Sequence, residues 1–314
     1  MKPLSGVLSV IQTPFRADDT LDEHTLRREV DWLYECGVSG LVVGMVSEVQ
    51  RLTEAERDTL HATLVKLSAG RGPVVGSVGS ESLVQAQRHA RAAEAAGVDA
   101  VMAIPPTLTR CGPEQLHEYY AGLIRSVRVP VVVQDASGYV GNPIPVSLCG
   151  RLHAEFGDRV MFKPEAHPIG PNLTALHQAT GGRAKVFEGS GGLALIDTYR
   201  RGIAGTMPGG DVPWAMVKLW QALEVGDEAA AAAIHSPICA LVGLMTSLDA
   251  FVSIQKHLLR EQGIFPTARV RGPLGFEPDA GIVAEARRLL RLLQSVCRSQ
   301  GPCAGIRPPA DIKP

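Results

Sequence analysis

Eight short apolar runs punctuate the first two thirds of the chain, each followed by a longer stretch of mixed character. They are Val7–Thr13, Gly40–Gly44, Val74–Val78, Ala100–Ile104, Val129–Val133, Val160–Lys163, Ala184–Phe187 and Ile203–Thr206. Val, Ile, Ala and Gly dominate them with little polar alternation, which is what a parallel strand buried on both faces requires. The stretches between, such as Asp22–Cys36, Thr53–Ser68, Ser82–Ala96 and Pro113–Val127, carry helical spacing and legible ends. Thr53 stands before Glu54 and Glu56 as a helix start, and Gly37, Gly97 and Gly181 sit just past helix ends.

Eight strand–helix units predict an α/β fold of the (β/α)8 TIM-barrel type rather than an open doubly wound sheet. A dinucleotide fold would place GxGxxG after the first strand, but that strand runs into Thr13–Pro14–Phe15. Helical patterns over Asp227–Met245, Leu248–Gln262 and Asp279–Val296 then predict a C-terminal helical extension. The expected division is a catalytic barrel over 1–225, helices packed on its flank over 226–298, and an extended Pro- and Gly-rich tail over 299–314.

Composition narrows the partners. The chain has 314 residues, 45% of them hydrophobic, enough for a large single core. A net charge of −1 argues against nucleic acid or an anionic membrane as partner. No apolar run approaches the roughly 20 residues of a membrane span, and the first residues lack a signal-peptide pattern. Six cysteines without a CxxC pair read as reduced thiols, so a cytoplasmic location is expected. The histidines are scattered, and neither a metal nor a cofactor is expected.

Barrel enzymes carry their chemistry at the C-terminal ends of the strands. Those positions include Thr13, Ser47, Glu48, Ser77, Pro105, Gln134, Asp135, Lys163, Glu165, Gly189, Ser190 and Thr206. Lys163 is the one amine among them. A buried lysine loses its proton more readily, and a neutral amine attacks ketones; a lysine there can equally reach solvent or neutralise a carboxylate. Glu165, two residues on, shares its face and could move protons for an enamine, or form a structural ion pair. The glycine-rich stretches after strands seven and eight suit a phosphate, a small carboxylate or plain tight turns.

Together these residues resemble the dihydrodipicolinate synthase / N-acetylneuraminate lyase family of class I aldolases and dehydratases. The likeness runs through Thr13–Pro14–Phe15, Glu48 with Leu52 and Thr53, Val74–Gly79 into Ser82, Ala95–Gly97 with Asp99 and Pro105–Pro106, and Phe162–Lys163. It implies that Lys163 is the Schiff-base lysine. The family's Gly-Thr-Thr-Gly-Glu after strand two reads Gly44–Met45–Val46–Ser47–Glu48 here, leaving Ser47 and backbone amides to hold a substrate carboxylate. Gln134 replaces the strand-five tyrosine, the tyrosine after strand four is missing, and Tyr139 falls near the arginine of the lysine-biosynthetic enzymes. Ser47–Glu48, Gln134–Asp135–Ala136 and Lys163–Pro164–Glu165 are similar to the sugar-acid branch, such as 2-keto-3-deoxy-arabonate dehydratase.

The resemblance thus implies a Schiff-base-forming lyase acting on a small 2-oxo acid, a 2-keto-3-deoxy sugar acid dehydratase before a pyruvate-dependent aldolase or a non-catalytic binding barrel. Lys163 and Glu165 are the expected catalytic pair, with Ser47, Glu48, Gln134, Gly189 and Thr206 around the substrate. A homo-oligomer, dimer or tetramer, is implied as well.

Overall fold

The computed structural model describes residues 2–138, 141 and 143–300, so Tyr139 and residues 301–314 of the expected tail lie outside it. Eight strands alternate with helices in the order β1 (Gly6–Val10), α1 (Glu23–Glu35), β2 (Gly40–Val42), α2 (Glu54–Ser68), β3 (Val74–Ser77), α3 (Leu83–Ala96), β4 (Ala100–Ala103), α4 (Pro113–Ser126). The second half continues with β5 (Val131–Asp135), α5 (Val146–Phe156), β6 (Val160–Pro164), α6 (Ile169–Ala179), β7 (Phe187–Glu188), α7 (Leu195–Arg200), β8 (Gly205–Thr206) and α8 (Pro213–Glu224). Three more helices follow: α9 (Glu228–Val242), α10 (Leu248–Glu261) and α11 (Ala280–Ser299).

All neighbouring strands pair in parallel, in the order β6-β5-β4-β3-β2-β1-β8-β7. A parallel bridge between Phe162 and Val186, with Phe162 N–H donating to Lys185 O at 3.0 Å, closes β6 onto the strand-seven segment. The sheet is therefore a barrel with a TIM-type topology.

Strand alternation sorts the apolar residues into two layers. Leu8, Val10, Val42, Met102, Val132, Met161, Phe187 and Met207 fill the barrel interior. Val7, Val101, Val131, Val133, Val160 and Phe162 point outward into the larger core beneath the helices. Local chemistry fixes the helix ends. Thr53 and Glu56 form a reciprocal capping box, with Glu56 N–H on Thr53 Oγ1 at 3.2 Å and Thr53 N–H on Glu56 Oε2 at 2.8 Å. Gly97 closes α3 at φ +94°.

Several expected bounds shift, and the first strand spans Gly6–Val10 rather than Val7–Thr13. The fifth strand begins at Val131 rather than Val129 and extends to Asp135, because Pro130 has no N–H to give the ladder. The seventh and eighth strands shrink to Phe187–Glu188 and Gly205–Thr206. Helix α11 continues through Ser299, so the first residue of the expected tail is helical. Helix α10 returns to the C-terminal mouth of the barrel, packing against the 3-10 turn Met45–Ser47 that follows β2.

Candidate active site

The inward alternation of the strands runs on past their ends and brings polar groups together. Met161 leads to Lys163 and then Glu165, Val132 leads to Gln134, and Phe187 leads to Gly189. Gln134 and Lys163 are register partners across β5 and β6. Lys163 Nζ donates to Glu165 Oε1 at 2.8 Å, and Gln134 Nε2 donates to Glu165 Oε2 at 3.0 Å. Lys163 is 5% exposed and Glu165 4%, so the pair sits in a low-dielectric pocket. Burial pushes the Glu165 carboxyl up, against the opposing pull of the Lys163 charge and of both hydrogen bonds. Gly189 makes room for the pair: a Cβ there would lie 2.5 Å from Glu165 Oε1 and 2.6 Å from Lys163 Cε.

A narrow cavity of about 40 Å³ opens on this pair. Its walls are Gln134 and Gly189 on one side, the Gly44–Val46 turn on another, and Leu248, Phe251 and Gln255 of α10 as the cover. The amides of Met45 and Val46 open the 3-10 turn and have no acceptor among the described residues. Larger clefts exist: one of about 220 Å³ lies between the loops after β2, β3 and β4, against Arg57 and Glu81, but it holds no lysine. Asp135 is turned away from the chemistry, accepting from Ser137 N–H and Ile144 N–H at 2.9 Å each and so shaping the loop after β5.

Three residues expected around the substrate are placed elsewhere. The Ser47 hydroxyl is spent inside the chain, donating to Ile11 O at 2.6 Å and accepting from Gly44 N–H at 3.1 Å. It builds the turn rather than facing the cavity. Glu48 adopts a left-handed conformation, φ 58°, which turns its side chain to the buried ammonium of Lys256 and to Arg271 N–H at 3.0 Å. Thr206 lies on the outward face of β8, donating to Glu188 Oε2 at 2.6 Å, while its neighbour Met207 points inward.

Sequence reasoning missed Gln255 and Lys256. Gln255 reaches the cavity from α10, its Oε1 accepting from Gln12 Nε2 at 2.6 Å. Lys256 is fully buried, paired with Glu48 and donating to Arg269 O at 2.8 Å. Desolvation holds its pKa down, against the Glu48 charge. A signal existed: Leu248, Phe251, Gln255 and Leu258 form one helical stripe, and Gln255 is the polar member of it. Among the described residues no group of three His, Cys, Asp or Glu side chains could hold a metal, and no helix is long and apolar enough to cross a membrane.

The chain is similar to known proteins over most of its length. The model of the dihydrodipicolinate synthetase family matches residues 3–280. The chain is 29% identical over 269 residues to the "Probable 2-dehydro-3-deoxy-D-pentonate aldolase YjhH" of Escherichia coli, covering 84% of this chain and 89% of that one. It is 28% identical over 292 residues to the L-2-keto-3-deoxyarabonate dehydratase of Azospirillum brasilense, covering 90% and 94% respectively. Among solved structures, the 4-hydroxy-tetrahydrodipicolinate synthase of Methylacidiphilum fumariolicum superposes with a TM-score of 0.86 at 21% identity, over 95% of this chain and 98% of that one.

Proposed function

The chain belongs to the dihydrodipicolinate synthetase family, and from that membership we propose a lyase that joins Lys163 to a small 2-oxo acid and dehydrates a 2-keto-3-deoxy sugar acid. One observation carries the reading: a buried lysine and carboxylate 2.8 Å apart at the C-terminal mouth of a barrel, with the second carboxylate oxygen held by Gln134. The two most similar relatives described above, named for a pentonate aldolase and an arabonate dehydratase, support the sugar-acid class.

The pair supplies both halves of imine chemistry. Lys163 hands a proton to Glu165 and its free amine adds to C2 of the substrate. The carbonyl oxygen leaves as water, taking two amine protons through Glu165, and an iminium remains. Glu165, again a carboxylate, removes the C3 proton, and the electron pair moves into the iminium to give an enamine. When that pair returns, the C4 hydroxyl departs with the proton from Glu165 as a second water. Hydrolysis of the conjugated iminium frees the product and the amine. A carboxyl raised by burial suits this alternation of base and acid. The amides of Met45 and Val46, with Gly189 alongside, are assigned to the substrate carboxylate, and Ser47 holds their turn.

An aldolase would break C3–C4 instead and needs a base at the C4 hydroxyl. Gln134, at the position of the family's tyrosine, has no proton to relay, which favours dehydration. A homo-oligomer, dimer or tetramer, in the cytoplasm completes the proposal; five free cysteines among the described residues suit a reducing compartment. The test is borohydride trapping with 2-keto-3-deoxy-L-arabonate, followed by peptide mass mapping. The reduced adduct is expected on Lys163; an adduct on Lys256, or none, overturns the mechanism.

A further inference from the structure

We infer that Gln255 reads the tail of the substrate, donating its amide to a hydroxyl beyond C3, so that the acid taken by this site has an uncharged, hydroxylated tail. This rests on the Schiff-base reading of Lys163. Lys163 and Glu165 are the only charged residues among the described residues lining the cavity, and both are engaged at the reacting end. Among the described residues lining the cavity no further cation remains to meet a second carboxylate, and burying an unpaired one is costly. That disfavours a dicarboxylic acid.

Gln255 is 3% exposed and lines the same cavity. Its carbonyl oxygen is held by Gln12 Nε2 at 2.6 Å, which fixes the amide plane. The amide nitrogen has no acceptor among the described residues and is left as a donor beside a cover of Leu248 and Phe251. A donor at the cavity wall with no acceptor among the described residues is free to meet a ligand that supplies an oxygen. Gly209 is shaped around this amide: a Cβ at 209 would stand 2.0 Å from Gln255 Nε2. The chain thus keeps a glycine where any side chain would push the donor aside.

The experiment compares borohydride trapping rates of 2-keto-3-deoxy-L-arabonate and 2-oxopentanoate, which has the same carbon count and no tail hydroxyl. The intact protein is expected to prefer the hydroxylated acid. Gln255→Met should cut that preference roughly ten-fold, as expected for one lost hydrogen bond to the tail hydroxyl. Gly209→Ala should shift the ratio in the same direction while leaving Gln255 in the chain, which guards against a folding artefact of the first variant. A ratio that moves by less than about two-fold in both variants, or an equal loss for both acids, overturns the inference. Equal trapping of both acids at Lys163 by the unaltered protein overturns it too, with the Schiff-base reading intact. Failure of both acids to label Lys163 brings down that reading and this inference with it.

Discussion

Replacing Glu165 by glutamine separates a proton-moving carboxylate from a structural counter-ion. Gln is nearly isosteric and its carbonyl can still accept from Lys163 Nζ at the position of Oε1. Its amide would meet the Gln134 amide, now a donor facing Oε2 at 3.0 Å, so Gln134 must turn its carbonyl inward. That rearrangement costs about 1 kcal/mol, the scale of one neutral hydrogen bond. Loss of a general acid/base costs far more, roughly 10²- to 10⁴-fold in turnover, or about 3–5 kcal/mol. The two effects are therefore distinguishable by size. The charge change acts separately: Lys163 loses both its closest partner and the acceptor of the proton it hands over, so trapping should slow as well. The assay measures borohydride trapping and steady-state dehydration of the same variant from pH 6 to 9. Trapping slowed but retained, with turnover collapsed much further, is the expected outcome. Near-normal turnover with only a displaced pH profile would refute the proton-moving role.

Three further tests probe the surroundings. Lys256→Met strands Glu48 as a buried, unpaired charge and should cost about 3–5 kcal/mol, whereas Lys256→Met with Glu48→Gln should recover much of it; additive losses in urea melts would show that the pair is not coupled. Thr206→Val removes a donor from buried Glu188 and should lower stability by about 1–3 kcal/mol with Lys163 trapping by pyruvate little changed; a selective loss of trapping in a stable variant would restore Thr206 to the site. Glu29 is buried with its pKa pushed up to about 8 by desolvation, so the folded state keeps its proton above the unfolded value of 4.5. Stability from this group is full below 4.5 and is lost as pH rises to about 8, so the stability of Glu29→Gln relative to the parent should climb across that window and then level off; parallel curves would contradict it.

Much of this was legible in the chain because it is local. A capping box needs only Thr53 and Glu56, and the Lys163–Glu165 pair needs only the two-residue period of a strand. Thr206 shows where such reading ends. Strands buried on both faces have no polar alternation to reveal which side chains point in, so the inward position fell to Met207. Glu48 was misassigned for a different reason: its partner lies 208 residues away. Nothing near either residue in sequence announces that contact.

That distance sets an order of assembly during synthesis. Gln12 and Gln255 are separated by 243 residues, and Glu48 meets Lys256 across 208. A ribosome adding about 5–20 residues per second spends roughly 10–50 s between them. Through that interval the nascent barrel can form its lysine-bearing strand, while Glu48 must stay in water because no ammonium has arrived to meet it. The cover of the cavity is thus translated well after the strand that bears the nucleophile, and a chain released between them would carry the nucleophile without the wall that encloses it.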